Sequence, residues 1–413
     1  MLPGSRRAEE LATPLRRNRD YQMWWSGAAA SNVGSYLLTV AAPLLVLQTS
    51  GSAGQAGIVA GAAAVAKLAG SSPAGTLVDL CSRRALLFLA SALQILAAVS
   101  LFAALLTGAR GDILLAHLTV AVIVEGLGYS LHTATELPLL RKIVSEGQRR
   151  AALSREQSRK AAAQLAGPPL GGLLFSWSPV APFLAAAVLF LGVMSVALAL
   201  RVPLGPARRA RTHTGSTRGP RLAGLRYVCA RRYLRYMLVW FALVNGAFAG
   251  LGLLLVVLCH DRGAAPAEIG FAQAAGSAGA VLGAVACEWL TARMAATPLL
   301  KASSWLLVAG AVAMAVPASA VITGIAYAVA LFLTPAVNVS FMHHLVHSVP
   351  DELTGRISMA MMTAARSLNW FFAMGAGAMA DLHGPLFPLF SLAGLFLVLA
   401  CANHVWAPTN TEH

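Results

Sequence analysis

Charge is what this sequence has least of. Only 11% of its 413 residues are Asp, Glu, Lys or Arg, and 57% are hydrophobic. A soluble domain carries roughly 25% charged residues. A water-soluble core cannot hold an apolar surplus this large. The apolar residues also fall in long runs parted by short charged pieces, so the solvent for most of the chain is a bilayer. Cysteines are few and scattered: Cys81, Cys229, Cys259, Cys287 and Cys401. They form no CxxC pair and have no His at metal-ligand spacing, which argues against a disulfide framework and a zinc site. The chain lacks a GxxxxGKS or GxxxxGKT loop, so ATP is not expected as its direct energy source. It has no HExxH, no GxSxG and no carboxylate–metal arrangement, which argues against an enzyme. No cofactor and no metal are expected. The start, "MLPGSRRAEELATPLRRNRD", lacks the apolar region of a signal peptide and reads as a cytoplasmic lead-in.

What is present are apolar windows of spanning length. A membrane helix needs about 20 mostly apolar residues. Twelve candidates occur, at 21–48, 54–78, 84–107, 112–138, 155–177, 180–201, 235–258, 268–291, 299–317, 320–345, 357–381 and 385–406. Several exceed the hydrocarbon thickness, so tilted helices are expected.

The basic residues set the expected topology. With the N-terminus inside, 27 of the 31 Lys and Arg fall on the cytoplasmic side. Arg110 and Arg262 fall outside, and Lys67 and Arg366 lie within spans. This bias predicts a multi-pass protein of the cell membrane with both termini in the cytoplasm. It also accounts for the net charge of +15, which faces an anionic inner leaflet rather than a nucleic acid.

The longest interruption is the Arg-, Gly- and Pro-rich stretch 201–235. Five regions follow: an N-terminal arm (1–20), a six-helix bundle (21–201), a cytoplasmic linker (202–234), a second six-helix bundle (235–406) and a tail (407–413). The halves repeat weakly. "GTLVDLCSRR" after the second span carries Gly75, Asp79, Arg83 and Arg84. "GAVACEWLTAR" after the eighth carries Gly283, Glu288 and Arg293. "IVSEGQRRAAL" and "SVPDELTGRIS", the latter with Arg356, match at a similar offset. A duplicated six-helix unit is expected. The fold class is thus an all-α membrane protein of twelve helices in two pseudo-symmetric bundles.

Two motifs carry a resemblance. In "GTLVDLCSRRALL", 75–87, Gly75 permits close helix contact, Asp79 can accept hydrogen bonds at a helix end, and Arg83 and Arg84 fix the turn at the inner surface. On residues alone this is a charged turn. The stretch resembles the signature loop of the major facilitator superfamily, which implies a conformational latch. Leu80 and Ser82 depart from the family's Arg and Gly. In "LAGPPLGGLL", 165–174, Gly167, Gly171 and Gly172 make a small face for another helix, while Pro168 and Pro169 are expected to bend or break their own. Packing alone would account for it. The stretch resembles the fifth-helix motif of exporters in that superfamily, which implies antiport. "ELPLLRKIVSEGQRRAALS" and "HSVPDELTGRISMAMM" resemble the intracellular connections of its siderophore and drug exporter branch. The likeness spans about residues 15–405.

Charges at membrane depth are costly and mark function or internal pairing. Glu125, Tyr129, His132 and Glu136 fall within a sector of roughly 60° on the fourth helix, a polar stripe expected to border the central cavity. Lys67 and Glu125 sit at matching depths near the midplane, so they can pair. Glu125 is the proton-coupling candidate and His132 a possible relay; the alternative is a structural salt bridge with a packed histidine. Glu136 is expected near an inner gate, with Arg141 or Lys142. Lys67 and Arg366 are alternatively ligands for an anionic cargo group, with Asn369 one turn from Arg366. Weaker cavity candidates are Asn32, Tyr36, Gln94, Asn245, Asn338, His343 and His344, for which interhelical hydrogen bonding competes. Trp24 and Trp25 read as interfacial anchors, and Trp240, Trp305 and Trp370 as core or lipid contacts.

The expectation is a secondary active transporter: a proton-coupled exporter of a drug-like molecule, siderophore or secondary metabolite, working as a monomer. Uptake, lysolipid transfer and a non-transporting sensor or scaffold remain alternatives.

Overall fold

The structure is a computed structural model. It describes residues 14–200, 223–316, 319–348 and 351–405. Among these it is helical, without strands. The helices of the N-terminal half are α1 (Arg19–Ser50), α2 (Ala53–Leu80), α3 (Arg83–Leu106), α4 (Gly111–Ile143), α5 (Arg149–Trp177) and α6 (Ala181–Ala199). The C-terminal half holds α7 (Ala223–Ala230), α8 (Arg232–Asp261), α9 (Pro266–Val285), α10 (Cys287–Arg293), α11 (Ala296–Ala315), α12 (Ala320–Leu331), α13 (Thr334–Ser348), α14 (Asp351–Ser367), α15 (Asn369–His383) and α16 (Leu386–Val405).

Nine helical stretches among the described residues are long and apolar enough to cross a bilayer. The bent pair α9 and α10, at 54°, makes a tenth if it is one span. Spans outlined by hydropathy thus include pieces that are not single straight helices. The eighth, tenth and eleventh windows each break into two helices. The fifth window contains Glu156, Arg159 and Lys160, and its helix starts earlier, at Arg149.

The helices pack into two compact units whose boundary is not the linker alone. One unit runs to Ala42 and resumes at Ala62; the other takes Pro43–Gly61 together with the C-terminal half. The start of α2 packs with α15. Glycines permit this: a Cβ at Gly57 would lie 2.8 Å from the Ala373 carbonyl oxygen and 3.2 Å from the Gly377 Cα. Ser52 begins this stretch. Its hydroxyl accepts the Gln55 N–H at 3.0 Å and donates to the Asp381 carboxylate at 2.5 Å.

Two structural expectations change. Gly75 faces open space, whereas its counterpart Gly283 lies directly against the Phe332 carbonyl on the next helix pair. Of this pair the close approach belongs to Gly283 alone. Pro168 and Pro169 do not break α5, which runs unbroken from Arg149 to Trp177. Gly167 and Gly171 meet Tyr36 and Leu37 of α1 so closely that a Cβ has no room. This backbone contact braces the segment containing the prolines.

Candidate functional site

The site in the first unit is built around the sequence Glu125-Gly-Leu-Gly-Tyr. Gly126 and Gly128 open two sides of α4. A Cβ at Gly126 would lie 2.9 Å from Ala66 Cβ and 3.4 Å from Lys67 Cγ, so α2 passes close on that side. A Cβ at Gly128 would lie 2.8 Å from the Ala90 carbonyl oxygen and from Gln94 Cγ, so α3 passes close on the other. Glu125 projects between these neighbours and is 5% exposed.

Its carboxylate finds polar partners on three helices. Ser35 of α1 donates to Oε1 at 2.6 Å. Gln94 of α3 donates to the same oxygen at 3.4 Å. Lys67 of α2 places Nζ 3.8 Å from Oε2. Gln94 also donates to the Ser35 hydroxyl at 3.3 Å, and Ser31 donates to Gln94 Oε1 at 3.4 Å. The Lys67 ammonium lies 4.9 Å from the Tyr129 ring centroid, within cation–π range. Ser130 ties α4 to α2 by donating to the Lys67 carbonyl at 2.8 Å. Of the pair, the Lys67 side chain is 32% exposed and that of Glu125 only 7%. A buried ion with such partners offsets its desolvation through pairing and hydrogen bonds.

About three turns further along α4 lies a second charged centre. The basic partners of Glu136 are not Arg141 or Lys142 but residues of α5: Oε1 is 3.0 Å from Arg159 Nη2 and Oε2 is 2.6 Å from Lys160 Nζ. Glu156 joins them at 2.8 Å from Arg159 Nη2 and 3.5 Å from Lys160 Nζ. The guanidinium carbon of Arg159 lies 5.4 Å from the Trp24 ring centroid. Trp24 is thus buried against a cation rather than anchored at a lipid interface. His132 is buried beside Glu136 at 3.9 Å, and neither of its ring nitrogens has a hydrogen-bond partner among the described residues.

Of the α4 stripe, Glu125, His132 and Glu136 are buried and Tyr129 is half-buried. Glu156 and Arg159 fall at the start of the fifth window, in a basic stretch whose charges read as cytoplasmic. The spacing Glu156, Arg159, Lys160 (i, i+3, i+4) was the available signal for one helical face. Ser35 carries no distinguishing signal, being one of many serines in an apolar helix.

The remaining candidates are dispersed. Asn32 and Asn245 each donate to a carbonyl one turn back on their own helix, at 3.0 and 2.9 Å. Tyr36 packs against Gly167. Asn338 and His343 are exposed, and His344 lies edge-on to Tyr233 with centroids 4.3 Å apart. Arg366 is exposed, while Asn369 has a buried amide oxygen without a partner among the described residues. Around the signature turn, Ser82 caps α3 by accepting the Ala85 N–H at 3.2 Å, and Arg84 donates to the Leu200 carbonyl. Arg83 is half-buried. Arg293 stacks over Trp289 at 4.3 Å, and Glu288 is exposed. The side chains of Asp79 and Arg356 lie outside the described residues.

Comparison with known proteins agrees with this architecture. No curated protein matches the chain. Solved structures do, at low identity. A bacterial homologue of the human lysosomal transporter Spinster, inward-facing and unoccupied, is 15% identical, with a TM-score of 0.74 over 97% of this chain and 96% of that one. A POT family transporter in complex with a thioalcohol-conjugated peptide is 10% identical, with a TM-score of 0.75 over 98% and 100%. The nucleoside transporter NupG is 14% identical, with a TM-score of 0.69 over 95% and 99%. At these identities the likeness shows the fold. The family model of the Major Facilitator Superfamily matches residues 24–374. An all-helical chain with helices of spanning length, matched over most of its length by that model, is an integral membrane transporter and belongs to the major facilitator superfamily.

Proposed function

We propose that this transporter is a proton-coupled exporter of a drug-like small molecule, siderophore or secondary metabolite, with Glu125 as the proton-coupling group. It works in the cell membrane as a monomer, with twelve spans in two six-helix bundles and both termini cytoplasmic. The observation that carries the reading is a nearly inaccessible carboxylate whose partners come from three other helices and whose counter-ion is one-third exposed.

Such a carboxylate has two stable arrangements. Ionised, it needs Lys67 and its hydroxyl and amide donors. Protonated, it no longer needs Lys67, and the ammonium is free to move toward water. A proton and Lys67 thus compete for one group, and the winner changes how α2 and α4 are held together. That is a two-state element through which a proton gradient can bias the access state. The tight α1–α5 contact at Gly167 and Gly171 supports the exporter direction through the antiporter-type motif it realises.

A susceptibility screen of cells with and without the protein supplies a cargo. In proteoliposomes, an imposed proton gradient then drives that cargo against the proton flow. Glu125→Gln keeps the shape and hydrogen bonding but cannot carry the charge; it is expected to remain folded and to lose gradient-driven movement. Undiminished gradient-driven transport by that variant removes Glu125 from the mechanism. Cargo moving with the proton flow makes the protein an uptake symporter instead.

A further inference from the structure

The second unit holds a deep cation with no acid to match it. Arg366 is the penultimate residue of α14, next to the single-residue break at Leu368 that separates α14 from α15. On its own hairpin the nearest carboxylates in sequence are Glu352 and Asp381. Fourteen and fifteen helical residues away, they lie roughly 21 and 22 Å off along the axis. Elsewhere among the unit's described residues, acids occur only near helix ends: Asp261 is the last residue of α8, Glu268 lies in the first turn of α9, and Glu288 lies in the first turn of α10. The sequences of α11, α12, α13 and α16 contain none. The first unit pairs its deep cations with glutamates; Arg366 has no ion pair or hydrogen bond among the described residues.

Its direction follows from helix phase. The break at Leu368 keeps a right-handed helical backbone, with φ −97° and ψ −4°. At 100° per residue, Arg366, Trp370, Met374, Gly377 and Asp381 share one face about 80° wide. The outer part of that face is covered by the 52–61 segment. A Cβ at Gly54 would lie 2.6 Å from Asp381 Oδ2, and one at Gly61 would lie 3.2 Å from the Trp370 carbonyl oxygen and meet the Met374 side chain. The opposite face, Leu368 and Phe372, packs on Gly246 of α8. Arg366 is therefore on the protein-facing stripe, one turn inward of where its cover ends, and it is exposed there.

The neighbouring groups define a ligand. Asn369, three residues on, has a buried amide oxygen that lacks a donor among the described residues. Trp370, on the same face as Arg366, is 38% exposed and offers flat apolar surface. Guanidinium is a permanent cation with five donors and no acceptor, suited to an oxyanion. We infer that Arg366 and Asn369 form a recognition site for an organic anion, one that bears an O–H or N–H donor beside its acidic group and an aromatic or apolar body. This deepens the cargo class and rests on the transport reading, but not on Glu125 or on proton coupling.

The test uses the full-length protein in lipid nanodiscs, without a gradient. Three isosteres are titrated by ligand-induced thermal shift: mandelate, 1-phenylethane-1,2-diol and 2-amino-1-phenylethanol. They share a phenyl ring and a hydroxyl but differ in charge. Mandelate is expected to bind at least about tenfold more tightly than either partner. Arg366→Gln, shown to be monodisperse, brings the three within about twofold of one another. Arg366→Lys retains a preference for the anion, which separates lost charge from lost folding. Asn369→Ala weakens mandelate binding and leaves phenylacetate, which lacks the hydroxyl, unchanged. Equal binding of the three isosteres, absence of mandelate binding, or a preference that survives Arg366→Gln overturns the proposal. An Asn369→Ala variant with unaltered mandelate affinity overturns the part assigned to Asn369. Loss of gradient-driven transport in Glu125→Gln leaves this result untouched, so the two readings fail separately.

Discussion

The two units treat deep charge in opposite ways. In the first, acids and bases are matched: Lys67 with Glu125, and Arg159 and Lys160 with Glu136 and Glu156. In the second, Arg366 is exposed and has no ion pair among the described residues, and the described carboxylates stand near helix ends. A matched interior is suited to holding and releasing protons, because removing one charge frees its partner. An unmatched cation is suited to taking its counter-charge from a ligand. The molecule thus separates its candidate coupling chemistry from its candidate recognition chemistry by half of the chain.

The strongest way to break this contrast is to unmatch the first unit. Arg159→Ala leaves the buried Glu136 and Glu156 with only the partly exposed Lys160 between them. A loss of about 3–5 kcal/mol is expected, seen as collapse of the monodisperse peak or a large fall in Tm. Lys160→Ala removes a side chain that is 34% exposed, so its effect should be much smaller. If the two variants are equally stable, the buried cluster does not hold the unit together.

A second test compares the repeated glycines. Gly283→Ala forces a methyl group into the Phe332 carbonyl and should cost about 1–3 kcal/mol. Gly75→Ala meets open space and should be neutral or stabilising by up to about 1 kcal/mol. Thermal unfolding of both variants in the same lipid decides it; equal losses would show that the two repeats pack alike. The smallest expected effect is Ser35→Ala, which removes one donor to Glu125. Gln94 and Lys67 remain, so a loss of about 1 kcal/mol with folded yield retained is expected. A loss as large as that of Arg159→Ala would make Ser35 an indispensable part of the site.

Much of the fold was legible because hydropathy is a local property. Each long apolar run announces its own helix, and the 3.6-residue period places Glu125 and Glu136 on one face. Matching depths brought Lys67 and Glu125 together, since two neighbouring helices running the same way through one slab leave little freedom along the membrane normal. The partners of Glu136 were not legible in the same way. Arg141 and Lys142 are near it in sequence, but Arg159 and Lys160 are near it in space because α5 returns alongside α4. The breaks at Ala286, Leu368 and between Leu331 and Thr334 were also hidden, as no proline or charge run marks the first two.

By itself the sequence determined the bilayer as solvent, the helical class and which few ionisable groups fall within long apolar runs. These follow from transfer free energies that sum residue by residue along each helix. Only the tertiary structure decided which of those groups are satisfied. It turned His132 and Glu136 inward, gave Glu125 its Ser35 and Gln94 donors, assigned residues 43–61 to the opposite unit, and left Arg366 unmatched. Pairing depends on the rotation and closeness of several helices at once, and that geometry is written in no single one of them.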